Sequence, residues 1–304
     1  MSLFPVGFAR NALSVYEVER SLRHRSGVSP YLVSTRTAFD NRRVWTWSAW
    51  VKRGTLNVAQ TILSAYIDVN NRDFIRIESD NTITFISFRS SVIETRIRTT
   101  NLFIDPTSYF HIVMTFDSTN PTVADRQRMY INGIRELSLQ TVINVPLDYN
   151  LGLINGPFNH YIGRAQEGSY FDGHMTEINF VDGYALEPSE FGEYSLTTGE
   201  WIPKRYSGQY GSNGYYLPYT NGSTISELGF DCKPNSFRQI AANSVVGSTI
   251  STADAPFGSS SILVNGAFGS HVLYAASSRY NLTNGVLYLY IAFAESPLKY
   301  SNAF

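Results

Sequence analysis

Residues 44–54 read VWTWSAWVKRG, a run whose side chains must divide between two faces if it is extended. Period two places Trp45, Trp47, Ala49 and Val51 on one face and Val44, Thr46, Ser48 and Trp50 on the other. A strand apolar along one whole face belongs to a sheet packed on another layer. Three of the chain's four tryptophans lie in this one run. Buried aromatics carry the largest packing areas, so core is the first reading of these residues and a ligand platform the second. The same period recurs in DFIRIE at 73–78 and TITFISF at 82–88, while YFHIVMTFD at 109–117 is nearly continuous, as in a strand covered on both faces. RMYINGI at 128–134 contains Asn132-Gly133, a strong hairpin signal. Further strands are expected at 160–164, 174–181, 214–219, 261–264 and 286–293. Turn signals separate these runs and no long helical period interrupts them. The one expected helix is short, EPSEFG at 187–192, where proline suits the first turn. The expected fold class is all-β, an antiparallel β-sandwich.

The 304 residues suffice for one large β domain or two smaller ones. Residues 1–27 read as a docking arm whose apolar Phe4, Val6, Phe8 and Leu13 fit another surface better than water. Residues 28–199 read as the sandwich, and 200–304 as a smaller β segment. Its stretch YSGQYGSNGYYLPYTNGSTISELG at 206–229 is rich in Gly, Ser, Asn and Tyr. Charged residues make up only 16% of the chain, so much of its water-facing polarity must come from Ser, Thr, Asn and Tyr. With 24 basic and 25 acidic residues the net charge is −1, which argues against a nucleic-acid partner. The single cysteine, Cys232, makes no internal disulfide, and no metal-spaced Cys/His cluster occurs. The first twenty residues lack the basic start and apolar stretch of a signal peptide. No run approaches the roughly 20 apolar residues of a membrane helix, so synthesis in a reducing cytosol without membrane insertion is expected.

The order of motifs at 44–54, 109–117, 129–133 and 161–163 resembles a laminin-G-like, concanavalin-A-type jelly roll. Longer strings are more specific: YEVERSLR at 16–23, NRRVWTWSAWVKRG at 41–54, YFDGHMTEINFVDGYAL at 170–186, EWIPKRYSGQYGSNGYYL at 200–217 and AFAESPLKYSNA at 292–303. These are similar to a family of tailed-bacteriophage virion proteins, many described as tail fibres or structural proteins with a lectin-like domain. The region 220–285 is shorter here than in that group. The resemblance implies a virion protein made in the host cytoplasm, with other virion proteins as partners and a homo-oligomeric state. It implies a tail-fibre or tail-associated lectin-like subunit that engages host surface glycan. Decoration of the capsid surface, or a head fibre without a receptor role, is the alternative.

Hydrolysis of a glycoside needs two carboxylates flanking one bond. The nearest pair is Glu177 and Asp182, whose offset of five points them to opposite faces of a regular strand. His24, His111, His160, His174 and His271 are scattered, no G-x-S-x-G elbow occurs, and Cys232 has no helper nearby. No enzyme activity is expected, and His111, in the most apolar strand, reads as a hydrogen-bonded core histidine. Sandwiches of the resembled type sometimes hold calcium at a rim. Asp117, Asp125, Asp172 and Asp182 are the oxygen donors in question, but no run clusters the six to eight ligands that calcium takes. No cofactor is expected, with calcium as the alternative. For carbohydrate, the candidates are Trp201, Tyr206, Tyr210, Tyr215 and Tyr216, since sugars stack on aromatic rings beside Asn and Ser donors. A competing reading makes Tyr215, Leu217 and Tyr219 one face of a further strand, with the loop tyrosines filling a protein interface.

Overall fold

The computed structural model describes residues 16–35, 41–165, 168–220, 228–234, 241–243 and 249–251. Two large antiparallel sheets form the body of the described residues. In the first, the strands run β10 (Ile134–Arg135), β9 (Gln127–Ile131), β8 (Phe110–Asp117), β3 (Val44–Arg53), β13 (Gly173–Asp182), β1 (Ser21–His24) and β18 (Thr249–Ser251). β16 (Tyr215–Leu217) also pairs with β13. The second runs β11 (Leu139–Ile143), β7 (Val92–Thr99), β6 (Ile83–Arg89), β5 (Asn71–Ile77), β4 (Gln60–Asp68), β12 (Asn159–Ile162), β2 (Tyr31–Thr35) and β17 (Ala241–Asn243). A small hairpin, β14 (Gly192–Tyr194) with β15 (Trp201–Pro203), lies apart. The all-β sandwich expected from the sequence is the fold observed.

The alternation in β3 divides as its sequence dictates. Trp45, Trp47, Ala49 and Val51 lie in the core between the sheets, beside Ile112, Met114 and Phe116 of β8. Ile97, Phe85, Ile75, Leu63, Ile162 and Leu32 form the opposing row of the second sheet. Trp45 joins the two layers: it stacks on Phe116 and Phe180 at 5.5 and 6.1 Å and meets Phe85 edge-on at 5.7 Å. Trp50 points the other way and lies flat on the His111 ring, 4.8 Å between centroids. A loop closes one end of the core through Leu151, Leu153 and Ile154. It is pinned by the buried carboxylate of Asp73, which accepts the backbone N–H groups of Leu153 and Ile154 at 2.6 and 2.8 Å.

Asn132-Gly133 forms the expected tight turn between β9 and β10, with φ of 48° and 80°. Asparagine and glycine tolerate this left-handed backbone, and a Cβ on Gly133 would stand 2.7 Å from the Trp201 ring. The expected helix at 187–192 is a single 3-10 turn, Pro188–Glu190, with proline at its start.

Two expected boundaries are not boundaries of the fold. β1 falls within the proposed arm, yet Leu22 pairs with Met175 and is fully buried in the core. Beyond residue 200, β16 pairs with β13, and Tyr215, Leu217 and Tyr219 belong to the same core as Trp45. The composition of 206–229 suggested a separate segment because Gly, Ser and Asn dominate it. Its alternate apolar residues nonetheless fill the sandwich. The arm residues Phe4, Val6, Phe8 and Leu13, and the expected strands at 261–264 and 286–293, lie outside the described residues.

If 200–304 were a separate unit, a chain ending at residue 199 would fold. Loss of Tyr215, Leu217 and Tyr219 strips the flank of β13 and opens a cavity of three large side chains. Each such removal costs about 2–5 kcal/mol, together about as much as a typical domain's whole margin. The 1–199 chain is therefore expected to lack a cooperative thermal transition in circular dichroism. A sharp transition near that of the full chain would contradict the shared core.

Candidate functional site

β13 supplies Met175, Ile178 and Phe180 to the core, a spacing of three and then two. A regular strand cannot hold all three inward. The register against β3 shows the solution: Thr176 pairs with Trp50 and Asn179 with Ser48, so β13 carries one extra residue. That bulge sets Glu177 at φ 50°, a left-handed backbone that costs a non-glycine residue about 1–2 kcal/mol. The Glu177 side chain turns away from the core and is 4% exposed.

Two phenols meet its carboxylate there. Tyr216 donates from 2.7 Å and Tyr16 from 2.9 Å, and the two hydroxyls are 2.7 Å from each other. Each phenol carries one proton, so the two hydroxyls can fill only two of the three oxygen–oxygen contacts at once. Burial pushes the Glu177 carboxyl up to about 7, against the hydrogen bonds from Tyr216 and Tyr16, which pull it down. The Tyr16 and Tyr216 hydroxyls are driven well above their ordinary range, chiefly by burial and by the neighbouring Glu177, and stay protonated donors.

Over this triangle lies a second apolar cluster on the outer face of the first sheet, in which Val113, Tyr130 and Val181 meet Phe191, Tyr206, Tyr210 and Tyr216. Tyr206 and Tyr210 pack edge to face at 5.0 Å, and Tyr210 stacks beside Tyr216 at 6.3 Å. The Tyr210 hydroxyl donates to Asn179 Oδ1 at 2.7 Å, and Asn179 Nδ2 donates to the Glu177 carbonyl at 3.0 Å. A pocket of about 300 Å³ opens beside the cluster, lined by Arg205, Tyr206, Ser207, Tyr210, Tyr216 and Cys232 among others. The exposed Arg205 guanidinium sits 5.7 Å over the Tyr216 ring and makes no hydrogen bond or ion pair among the described residues. Burial lifts the Tyr206 phenol to about 12 and the Cys232 thiol above its usual value. The pocket thus presents a cation, the Ser207 hydroxyl and aromatic edges.

Of the five aromatic candidates, Tyr206, Tyr210 and Tyr216 come together at this pocket. The other two do not. Tyr215 lies in the main core, stacked on Phe180 at 5.7 Å. Trp201 of β15 lies against His111, to whose Nδ1 it donates at 3.0 Å. His111 Nε2 then donates to Ser48 Oγ at 2.7 Å, and burial holds the imidazole neutral by lowering it to about 3. It is a core histidine, as its strand implied. Trp201 and Tyr215 therefore drop out of the candidate set, while Tyr206, Tyr210 and Tyr216 spend their faces on one another and their hydroxyls on Gln209, Asn179 and Glu177, leaving ring edges. Glu177, Tyr16 and Arg205 carry the site beside them. The sequence signal for Glu177 was the broken alternation from Met175 to Ile178.

Asp182 is engaged elsewhere, accepting from Asn155 Nδ2 and from the Asn213 backbone at 3.2 Å, so the two carboxylates do diverge. The other aspartates are spent separately: Asp117 caps Thr119, Asp125 pairs with Arg135 at 2.6 Å, and Asp172 pairs with Arg23 at 2.8 Å. Among the described residues, no three His, Cys, Asp or Glu side chains gather as metal ligands.

Residues 26–191, more than half of the chain, match the laminin-G-type family model described as concanavalin A-like lectin/glucanases superfamily. A protein of Bacteroides ovatus ATCC 8483 with a provisional carbohydrate-binding name has a similar structure, with TM-score 0.54 and 16% identity over 80% of this chain. The chain spans 62% of that protein's length. A pentraxin of Limulus polyphemus is similar at TM-score 0.41 and 15% identity, covering 57% of this chain and 80% of its own. A sialidase CBM40 module of Ruminococcus gnavus bound to α2,3-sialyllactose follows at 0.36 and 12%, covering 58% and 92%. No curated protein sequence matches the chain significantly.

The raised carboxyl of Glu177 fixes a pH dependence. Glutamate in an unfolded chain titrates near ~4.3. Between that value and about 7 the folded chain holds a proton that the unfolded chain releases, so stability falls as pH rises through this window and levels off above it. Glu177→Gln removes the titrating group. Its unfolding free energy should exceed that of the parent by about 3 kcal/mol at pH 8 and match it near pH 3, below the unfolded value. Urea unfolding at both pH values checks this, and a parental slope retained in the variant would contradict it.

Proposed function

The chain belongs to the concanavalin A-like lectin/glucanases superfamily, and from that premise we propose a non-catalytic glycan-binding subunit of a tailed-bacteriophage particle. The observation that carries the binding half is the pocket over Glu177. A volume of about 300 Å³ suits one terminal sugar ring. Arg205, which makes no hydrogen bond or ion pair among the described residues, offers a charged donor to a ring hydroxyl or carboxylate. Tyr206 and Tyr210 supply apolar edges, and Ser207 a hydroxyl. Recognition of this kind uses side-chain donors and needs no calcium. Binding without turnover fits the surroundings of Glu177, whose polar neighbours are phenols and a guanidinium while Asp182 faces the other way.

The particle half rests on the long strings at 16–23, 41–54, 170–186, 200–217 and 292–303. In this reading the protein is made in the host cytoplasm and incorporated into the virion. It assembles with copies of itself and other virion proteins through the arm residues Phe4, Val6, Phe8 and Leu13, and engages host surface glycan from a tail fibre. Seating on the capsid surface without a receptor role is the second reading, since the same strings serve either position.

Arg205→Gln should lower affinity for a bound glycan at least tenfold and leave the melting temperature unchanged, because that side chain makes no hydrogen bond or ion pair among the described residues. A broad glycan panel with no hit for the parent chain would remove the lectin reading. Immunogold labelling of purified particles separates the positions: gold on tail fibres supports attachment, and gold over the head supports capsid decoration. Particles without gold, and without peptides of this chain in mass spectrometry, would reject a virion role.

A further inference from the structure

The first sheet hides its outer face under the tyrosine cluster; the second sheet presents a different chemistry on its own. Its core-facing row is Ile97, Phe85, Ile75 and Leu63. The alternate positions, read through the strand register, set Arg98, Thr84 and Arg76 in one outward row and Arg96, Ile86 and Phe74 in the next. Phe88 and Arg72 begin a third row, which Tyr66 continues. Four arginines from β5 and β7 thus share one sheet face. A fifth, Arg164, reaches the same face and lies 4.1 Å over the Tyr31 ring and 4.7 Å over Tyr161.

These guanidiniums are held in place. Arg76 sits 4.5 Å over Phe74, and Arg72 4.6 Å over Phe88. Arg76 also pairs with Glu78 at 2.7 Å, and Arg98 pairs with Asp80. Both carboxylates lie at one rim of the face. Arg96 in the middle row is different. It makes no hydrogen bond or ion pair among the described residues, while its Nε, like those of Arg72 and Arg76, is buried without an acceptor. A half-buried guanidinium lacking an acceptor is costly unless something external supplies one. The chain as a whole is near neutral, at −1, so this concentration of cations is local.

We propose that this face binds an acidic polysaccharide, with a uronate carboxylate received by Arg96 and flanking carboxylates by Arg72 and Arg98. Guanidinium forks take carboxylate oxygens in pairs, and arginines pre-seated on aromatic rings lose little freedom on binding. Nucleic acid fits less well. Phe74 is 2% exposed beneath its arginine, so it offers no stacking surface for a base. This face is separate from the Glu177 pocket and does not depend on it.

The test uses the full chain with polygalacturonate, the same polymer fully methyl-esterified, and duplex DNA, at 50 and 200 mM salt. Polygalacturonate should bind, more weakly at the higher salt, and the esterified polymer should not. Arg96→Gln should weaken binding about tenfold with an unchanged melting temperature, and Arg96→Lys should restore part of it. Absence of polygalacturonate binding, equal binding of the esterified polymer, or an unaffected Arg96→Gln variant would overturn the proposal. Tighter binding of DNA would give the face to nucleic acid. A change in sedimentation caused by Arg96→Gln without any polymer bound would give it to a second copy of the chain.

Discussion

β13 has to send Met175, Ile178 and Phe180 inward although their spacing is odd, and the rest of the molecule is arranged around how it does so. The extra residue at Glu177 restores the alternation, keeps Ile178 and Phe180 beneath Trp45, and turns one carboxylate outward. The bulge also divides the flank of β13. β1 pairs with Gly173–Met175 on one side of it, and β16 with Ile178–Phe180 on the other. Tyr16, just ahead of β1, and Tyr216, in β16, then meet over the gap at the same carboxylate. A local conflict between pleat and packing thereby becomes the point where distant parts of the chain join.

The two outer faces of the sandwich resolve their polar groups in opposite ways. On the first sheet, every polar atom of the His111 ring is spent inside: Trp201 donates to one nitrogen and Ser48 accepts from the other. Tyr210 likewise closes on Asn179. Covering that face with a second apolar layer allowed tyrosines to serve as core, their rings buried and their hydroxyls satisfied within reach. On the second sheet no such layer of tyrosines is seen among the described residues. Guanidiniums lie across Phe74 and Phe88, shielding apolar rings while holding their charge near the surface.

Much of the sandwich was legible because it rests on local pattern. The alternation in VWTWSAWVKRG sorted four core residues from their neighbours, Asn132-Gly133 marked its turn, and His111 read as a buried histidine. The site was less legible, since its parts are brought together by tertiary structure. Tyr16, Glu177 and Tyr216 are 161 and 39 residues apart along the chain. No window of sequence contains all three. The tyrosines were found by their abundance in 206–216, but composition could not tell a ring facing solvent from one facing Val113 and Val181. The domain boundary near 200 misled for a related reason. Gly, Ser and Asn shape the turns of that segment, while two or three apolar side chains decide where it packs.

The division of β13's flank has a consequence for how the chain is made. β13 ends at Asp182 and β16 begins at Tyr215, so about 30 residues must follow β13 before β16 can take its place beside it. At roughly 5–20 residues per second, that is about 2–7 s of synthesis during which half of β13's edge has no neighbour and the Glu177 carboxylate has only one of its two phenols. An open edge next to a tryptophan-rich strand is a template for pairing between nascent chains. Newly made copies on a shared messenger are each other's nearest source of such strands.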